Sequence, residues 1–531
     1  MVAQFFQSHK RKSLIGSFWL FLISLVLFSL LYRLNDFPSV WWDEGWTLDA
    51  ARNWVEHGHL GHYLDGMPIP ARSPVRFVVA VMVALSMKIF GIGVWQGRLP
   101  GVILTILSLT LLVYLTSKIY NRKVGIATLL IILFLSPYSI NPTFMGRQVQ
   151  AEMPMMFFLL AGYCLVWLAI DRSSFWSLGA ALMFGIALHA KLQVPPFWFI
   201  SIILAIWVAV KYKQRSSTLV LIGIAIGSIL VAAIILLIQN MVMKDSFFDP
   251  ALIEILINSV IFVLTRQARE AALLGIVVSA LPQLFGYFWA GRYIMGSLFL
   301  HQPTKTSDVQ GEIIRKDILR ASIWGLGASW LVWYLTMGLP WQRYLFPPYF
   351  IGCIFFAAYL YELSAGFDLR LIVRQASAIL LGRKFNWINI QSLVLVIVFA
   401  VILGVSGKTT ILHLITKMPD PILASTYLRK NIPKGARVET FESELYFLAP
   451  EINYHFPSDL VSMQLVRKQM IDPQLSIEDG ILASKPDLLV IGPYSQDWHA
   501  YDDVLIQDWF QIKEDIGGYQ VYQIRTTVSD K

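Results

Sequence analysis

Cysteine is almost absent from this 531-residue chain. Only Cys164 and Cys353 occur, both inside apolar runs, which argues against a disulfide framework and against a cysteine-based metal centre. Charge is scarce as well. Asp, Glu, Lys and Arg make up 15% of the residues, against 56% hydrophobic ones and a mean hydropathy of +0.59. No soluble domain needs that much apolar surface, and the apolar residues fall in runs near bilayer length rather than in helical stripes. The chain reads as a polytopic membrane protein. Its net charge of +9 does not point to nucleic acid, because Lys and Arg sit in short clusters between apolar segments. No small-residue cleavage site follows the first apolar run, so a removable signal peptide is not expected. "GVSGKTT" at 404–410 has Ile402 where a phosphate-binding loop needs its first glycine. No internal repeat is evident, which argues against a secondary transporter.

What is present is a series of apolar runs. They predict spans near 14–34, 95–116, 124–141, 152–170, 174–190, 194–211, 218–240, 272–300, 318–337, 344–362 and 391–408. The basic clusters, from His9-Lys10-Arg11-Lys12 through "SKIYNRK" at 117–123 and "KYKQR" at 211–215 to Arg370 and Arg374, belong on the cytoplasmic face. That requirement keeps two further apolar segments, 75–92 and 250–271, on the outer side. The expected fold is therefore mostly α, with about eleven transmembrane helices running from a cytoplasmic N-terminus to an extracytoplasmic C-terminus. Residues 1–408 form the membrane domain, with an outer loop at 35–94. Residues 409–531 are richer in charge. Strand-like pieces at 436–441, 486–493 and 519–524 alternate there with helical stretches, as in a small α/β domain.

Polar residues at the span ends then gather on the outer face. They are Asp43 and Glu44 after the first span, Arg72 and Arg76 in the same loop, and Arg98 at the start of the second. Arg147 and Glu152 lie in the second outer loop, Lys191 where the fifth span emerges, and Arg343 where the tenth begins. Simple interfacial anchors would be mostly Lys and Arg. Here three carboxylates share the face with several cations. That mixture suits transfer of a sugar from a lipid phosphate, in which cations hold the phosphate while a carboxylate takes the proton of the attacking hydroxyl. Trp41, Trp42, Trp46 and Trp54 would make the dry rim that raises the basicity of an acid among them. Asp43 is the expected base, able also to N-cap the helix bearing Trp46, Asp49 and Asn53. The histidines of "EHGHLGH", His57, His59 and His62, offer imidazoles to a divalent metal. Their spacing fits no recurrent zinc pattern, and Gly58 and Gly61 place them in a turning loop, so a metal there is not expected.

"WWDEGWTLDAARNW" after a first membrane span resembles the Asp-Glu motif of the GT-C glycosyltransferases. More narrowly, it is similar to the dolichyl-phosphate-mannose protein mannosyltransferase family and its bacterial relatives, including the aminoarabinose transferases of lipid A. The similarity continues in order through "IPARSPVRFVVAVMVALSMKIFG", "GRLPGVILTILSLTLLVYLTSKIYNRKVG", "GRQVQAEMPMMFFLLAGYCL", "QRYLFPPYF" and the C-terminal "KPDLLVIGPY" and "IGGYQVYQI". The resemblance implies an inverting hexosyl- or pentosyltransferase in a bacterial plasma membrane. Its donor would be a polyprenyl-phosphate-linked sugar, and its acceptor a hydroxyl on a glycan, lipid or protein at the extracytoplasmic face. Asp43 matches the family's catalytic acid and Glu44 its neighbour. Glu152 stands where the family presents an Asp, one methylene shorter. Lys191 and Arg343 fall where basic residues face the lipid phosphate, Arg98 matches an arginine of structural or binding role, and Arg147 and Arg72 join the expected substrate-binding set. The alternative is a non-enzymatic transporter of lipid-linked glycans, which would place charges inside its spans along a pathway.

Overall fold

The computed structural model describes residues 2–71, 75–243, 263–300 and 308–382 and, with interruptions, 386–524. Most of these residues are helical. α1 (Val2–Leu31) leads to α2 (Trp42–His57), a hairpin of β1 (Gly61–Leu64) and β2 (Met67–Pro70), and α3 (Phe77–Phe90). The bundle continues with α4 (Val94–Ile119), α5 (Arg122–Phe134), α6 (Glu152–Asp171), α7 (Trp176–Ala190), α8 (Val194–Lys211) and α9 (Arg215–Met243). After these come α10 (Arg266–Ser279), α11 (Leu281–Leu300), α12 (Asp308–Thr336), α13 (Gln342–Leu363) and α14 (Leu369–Leu380).

Among the described residues, five helices are long and apolar enough to cross a bilayer: α4, α6, α8, α9 and α13. α10 and α11 together would make a sixth, but they meet at 86°. The run 272–300, expected as one straight span, is thus bent. Pro282 has no N–H to continue the ladder and fits only in the first turn of a new helix. The expected span 124–141 is shorter too, because α5 stops at Phe134 ahead of Pro137. Its 13 residues reach about 20 Å, short of the roughly 30 Å hydrocarbon core. α3, with 14 residues, reaches about 21 Å and lies against α2 and α4. The run 391–408 is described only in part, and most of the segment 250–271 falls outside the described residues.

The basic loops meet at one end of the bundle. Arg320 donates to the Ile119 carbonyl (2.8 Å) and lies between the rings of Tyr120 and Tyr293. Arg315 pairs with Asp171 at 3.1 Å, and Lys123 donates to the Gly366 carbonyl. α2 stands at the other end, beside the start of α4.

Above that end sits a five-stranded mixed sheet with order β4-β3-β5-β7-β6, formed by β3 (Arg437–Glu439), β4 (Asn453–His455), β5 (Leu488–Ile491), β6 (Phe510–Ile516) and β7 (Tyr519–Ile524). Three of these strands are the ones the sequence predicts. Gly517 and Gly518 both have positive φ, the backbone that the two-residue turn between β6 and β7 requires. The sheet does not have a core of its own. Val438, Leu489, Tyr446 and Phe456 share one hydrophobic cluster with Trp46, Ala50, Leu60, Leu64, Ala71 and Phe77, so the first outer loop is packed into the C-terminal domain.

Candidate active site

Asp43 lies in the first turn of α2 rather than at its N-cap. Trp41 occupies the cap position and makes no side-chain cap bond. The acid is still favoured there by the positive end of the helix. Glu152 has the same setting in the first turn of α6, and Lys191 terminates α7, where the helix end favours a cation. These three side chains meet Arg343, from the first turn of α13, in one cleft that is also lined by Thr47, Arg76, Gln150, Gln193 and Tyr344. Arg343 pairs with Asp43, and Lys191 with Glu152. The Tyr344 ring lies between the two cations, 5.0 Å from Lys191 Nζ and 5.4 Å from the Arg343 guanidinium.

The cleft has a volume of about 80 Å³, and the Asp43–Arg343 and Glu152–Lys191 pairs lie along its wall.

Two sets of residues line the cleft without having been assigned to it from sequence. Arg76 is the first. Burial draws its guanidinium below the ordinary arginine value, opposed by nearby Tyr344 and Glu152. Its place in the same loop as Arg72 was visible, but only the fold shows that it turns inward. The second is Gln150 and Gln193, each with a buried amide oxygen that has no partner among the described residues. A neutral amide in a polar loop carries no sequence signal.

Other expected site residues lie elsewhere. Glu44 is fully buried and bound by both carboxylate oxygens to Arg98, at 2.8 and 2.7 Å, and it also accepts the Val149 N–H at 3.0 Å. Arg98, equally buried, donates further to the Leu34 and Pro38 carbonyls. The pair is a clamp between α2, α4 and the loop after α1, and neither residue faces the cleft. The expected catalytic role of Glu44 and substrate contact of Arg98 would need side chains that reach the cleft, and these are turned from it. Arg147 is turned from it too. It donates to the carbonyls of Ser29, Tyr32 and Phe37, satisfying the open C-terminal end of α1. Burial lowers its pKa to about 10. Arg72 lies outside the described residues.

The three histidines diverge. His62 is buried against Asp49 at 2.7 Å, His59 meets the Ile69 carbonyl at 2.8 Å, and His57 is half exposed beside Glu56. Among the described residues no group of three or more His, Cys, Asp or Glu is placed to hold a metal. The tryptophans differ from the expected rim as well. Trp46 is fully buried against His62, Tyr446 and Phe456, and Trp42 stacks on Tyr494, so both turn toward the C-terminal domain.

A polar cleft thus lies at one end of an apolar helical bundle, with a small mixed sheet above it. Residues 73–237 match the family model described as dolichyl-phosphate-mannose-protein mannosyltransferase. No protein of curated function matches the chain by sequence. In fold it is similar to ArnT from Cupriavidus metallidurans bound to undecaprenyl phosphate, with a TM-score of 0.57 and 12% identity over 97% of this chain and 99% of that one. It is also similar to the oligosaccharyltransferase of Archaeoglobus fulgidus in the apo form, with a TM-score of 0.55 and 11% identity over 95% of this chain and 74% of that one. A third likeness is to archaeal AglB from the same organism, in complex with an inhibitory peptide and a dolichol-phosphate. There the TM-score is 0.53 and the identity 12% over 96% of this chain and 74% of the other. At such identities the likeness is one of fold. The chain thus resembles the protein mannosyltransferases and the aminoarabinose transferases within the GT-C class.

Proposed function

We propose that the protein is an inverting glycosyltransferase that moves a sugar from a polyprenyl-phosphate donor to an acceptor hydroxyl at the extracytoplasmic face. The observation that carries this reading is the pairing, in one cleft at the end of the bundle opposite the basic loops, of Asp43 with Arg343 and of Glu152 with Lys191. The donor phosphate competes with the carboxylates for Arg343 and Lys191, with Arg76 beside them, and so frees Asp43. The acceptor oxygen then bonds to the anomeric carbon from the face opposite the phosphate, its proton passes to Asp43, and the bond from carbon to phosphate oxygen breaks. Polyprenyl phosphate leaves with the electron pair, its charge held by the same cations. Glu152, Gln150 and Gln193 are placed to orient sugar or acceptor hydroxyls. No cofactor takes part in this scheme.

In the five helices long and apolar enough to span, charged side chains lie near the helix ends. That distribution favours a transferase over a transporter with a charged path. We place the N-terminus in the cytoplasm, the sheet domain outside and about eleven spans between them, in a bacterial plasma membrane.

The test is mass spectrometry of glycans, lipids and glycoproteins from a deletion strain complemented with either the wild-type chain or Asp43→Asn. A glycosyl product should vanish on deletion and return only with the wild type. No change on deletion, or full restoration by well-inserted Asp43→Asn, refutes the assignment.

A further inference from the structure

Trp42, Asp43 and Glu44 follow one another in the first turn of α2, each turned about 100° from the one before. They consequently face three different bodies. Glu44 faces the membrane bundle, where Arg98 holds it, and Asp43 faces the cleft. Trp42 faces the C-terminal domain. Its indole N–H donates to the Phe441 carbonyl at 2.6 Å, its own carbonyl accepts the Ser443 hydroxyl, and its ring stacks on Tyr494 at 4.4 Å and 5°.

We infer that the C-terminal domain aims the catalytic acid, with Trp42, Ser443 and Tyr494 as positioning residues for the transfer step. The inference rests on the function proposed above. α2 begins without a side-chain cap of its own, so its first turn is held by other elements, Glu44 by Arg98 and Val149 on the bundle side and Trp42 by the C-terminal domain. The contact with the C-terminal domain is close. A Cβ on Gly45 would lie 2.3–2.6 Å from backbone atoms of Ser443 and Glu444, so only glycine lets the helix and the 443–448 segment touch.

The docking surface is itself rigid. Glu442, buried, accepts the N–H groups of Gly492 (3.0 Å), Tyr494 (3.3 Å) and Ser495 (2.8 Å), which joins the Phe441–Ser443 turn to the Tyr494 segment as one unit. Farther along α2, Arg52 donates to the Tyr446 and Phe447 carbonyls at 3.0 and 3.3 Å. The helix therefore meets the domain at both ends of the 441–447 segment, and a shift of that segment is a shift of Asp43. A displacement of about 1 Å in a reacting group can cost about 100-fold in rate.

The experiment uses the full-length chain in the deletion strain. Glycosyl product is measured by mass spectrometry per molecule of membrane-inserted protein, and undecaprenyl phosphate binding is measured on the purified variants. Tyr494→Ala and Trp42→Phe should lower product per molecule about 10- to 100-fold while leaving the Kd for undecaprenyl phosphate within about twofold. Tyr494→Phe, which keeps the stacked ring, should restore turnover. Ser443→Ala removes one hydroxyl from an otherwise intact contact and gives the same reading should Tyr494→Ala fail to insert. The inference is overturned if product falls only as far as protein level falls, or if affinity for undecaprenyl phosphate drops in step with turnover. A deletion strain that loses no glycosyl product, or a wild-type chain that does not bind undecaprenyl phosphate, overturns instead the function on which the inference rests.

Discussion

Glu44→Gln separates the two acids of the Asp-Glu pair. In the folded protein Glu44 and Arg98 are both 0% exposed, and two charge-assisted hydrogen bonds join them. Glutamine keeps the shape but presents an NH2 group. That group must face either an Arg98 N–H or the Val149 N–H, a donor against a donor in both cases. Arg98 keeps its bonds to the Leu34 and Pro38 carbonyls but loses its counter-charge in a fully buried site. Breaking a buried pair in this way costs about 3–5 kcal/mol. Asp43→Asn should behave oppositely. Its partner Arg343 is 25% exposed and Asp43 19%, so the ion pair contributes about 1 kcal/mol or less to stability, whereas loss of the base lowers turnover by about 100-fold or more. Thermal unfolding can be followed with a thiol-reactive dye, because both cysteines are free and buried and become reactive only as the bundle opens. Glu44→Gln should melt well below the wild type yet retain most of its transfer per folded molecule. If it melts like the wild type and is as inactive as Asp43→Asn, Glu44 acts on the chemistry and the clamp assignment is wrong.

Arg343→Ala should weaken use of the polyprenyl-phosphate donor by about 10- to 150-fold, the scale of one charge-assisted hydrogen bond, with acceptor KM little changed; unchanged donor kinetics would reduce Arg343 to an interfacial anchor. Lys191→Ala alone strands the buried Glu152 carboxylate, so the informative form is Lys191→Ala with Glu152→Gln, which should insert normally and still lose donor affinity. In the C-terminal domain, burial and the charge of Glu442 hold the Glu444 carboxyl well above the ordinary carboxylate range. Its contribution to stability is therefore fully present below the unfolded value and is lost as pH rises through the folded one. Glu444→Gln should flatten the fall in melting temperature as pH rises above the ordinary carboxylate range, and an unaltered pH profile would refute this. Reporter fusions at residues 120 and 450 should read cytoplasmic and extracytoplasmic respectively, and the reverse at either point would break the grouping of the cleft residues on one outer face.

Much of the architecture is legible in the chain because it follows from composition over long windows. The apolar runs at 95–116, 152–170, 194–211, 218–240 and 344–362 each lie within a long helix, and three of the five strands of the C-terminal sheet stand where the sequence predicts them. The failures are local. Proline shortens α5 and bends the α10–α11 pair without changing mean hydropathy, which is the only quantity that a span assignment reads. The merging of residues 46–77 with the sheet domain is a contact across some 400 residues of chain, and no periodicity within either segment encodes it.

The candidate site is legible in a different sense. Residue type and position at a span end identify which side chains are polar and which face they reach, and that suffices for Asp43, Glu152, Lys191 and Arg343, which do converge. It does not suffice for direction. Arg98, Arg147 and Glu44 satisfy the same sequence criteria, yet each is turned away to complete a buried clamp or a helix end. For Glu44 beside Asp43 the distinction lies in rotation about a helix axis. A one-residue step turns a side chain by about 100°, enough to move it from a cleft into a protein core. An Asp-Glu pair at a helix start can therefore present only one of its two acids to a given hydroxyl. In this chain the acid left to face the cleft is Asp43, because Arg98 and Val149 have already taken Glu44.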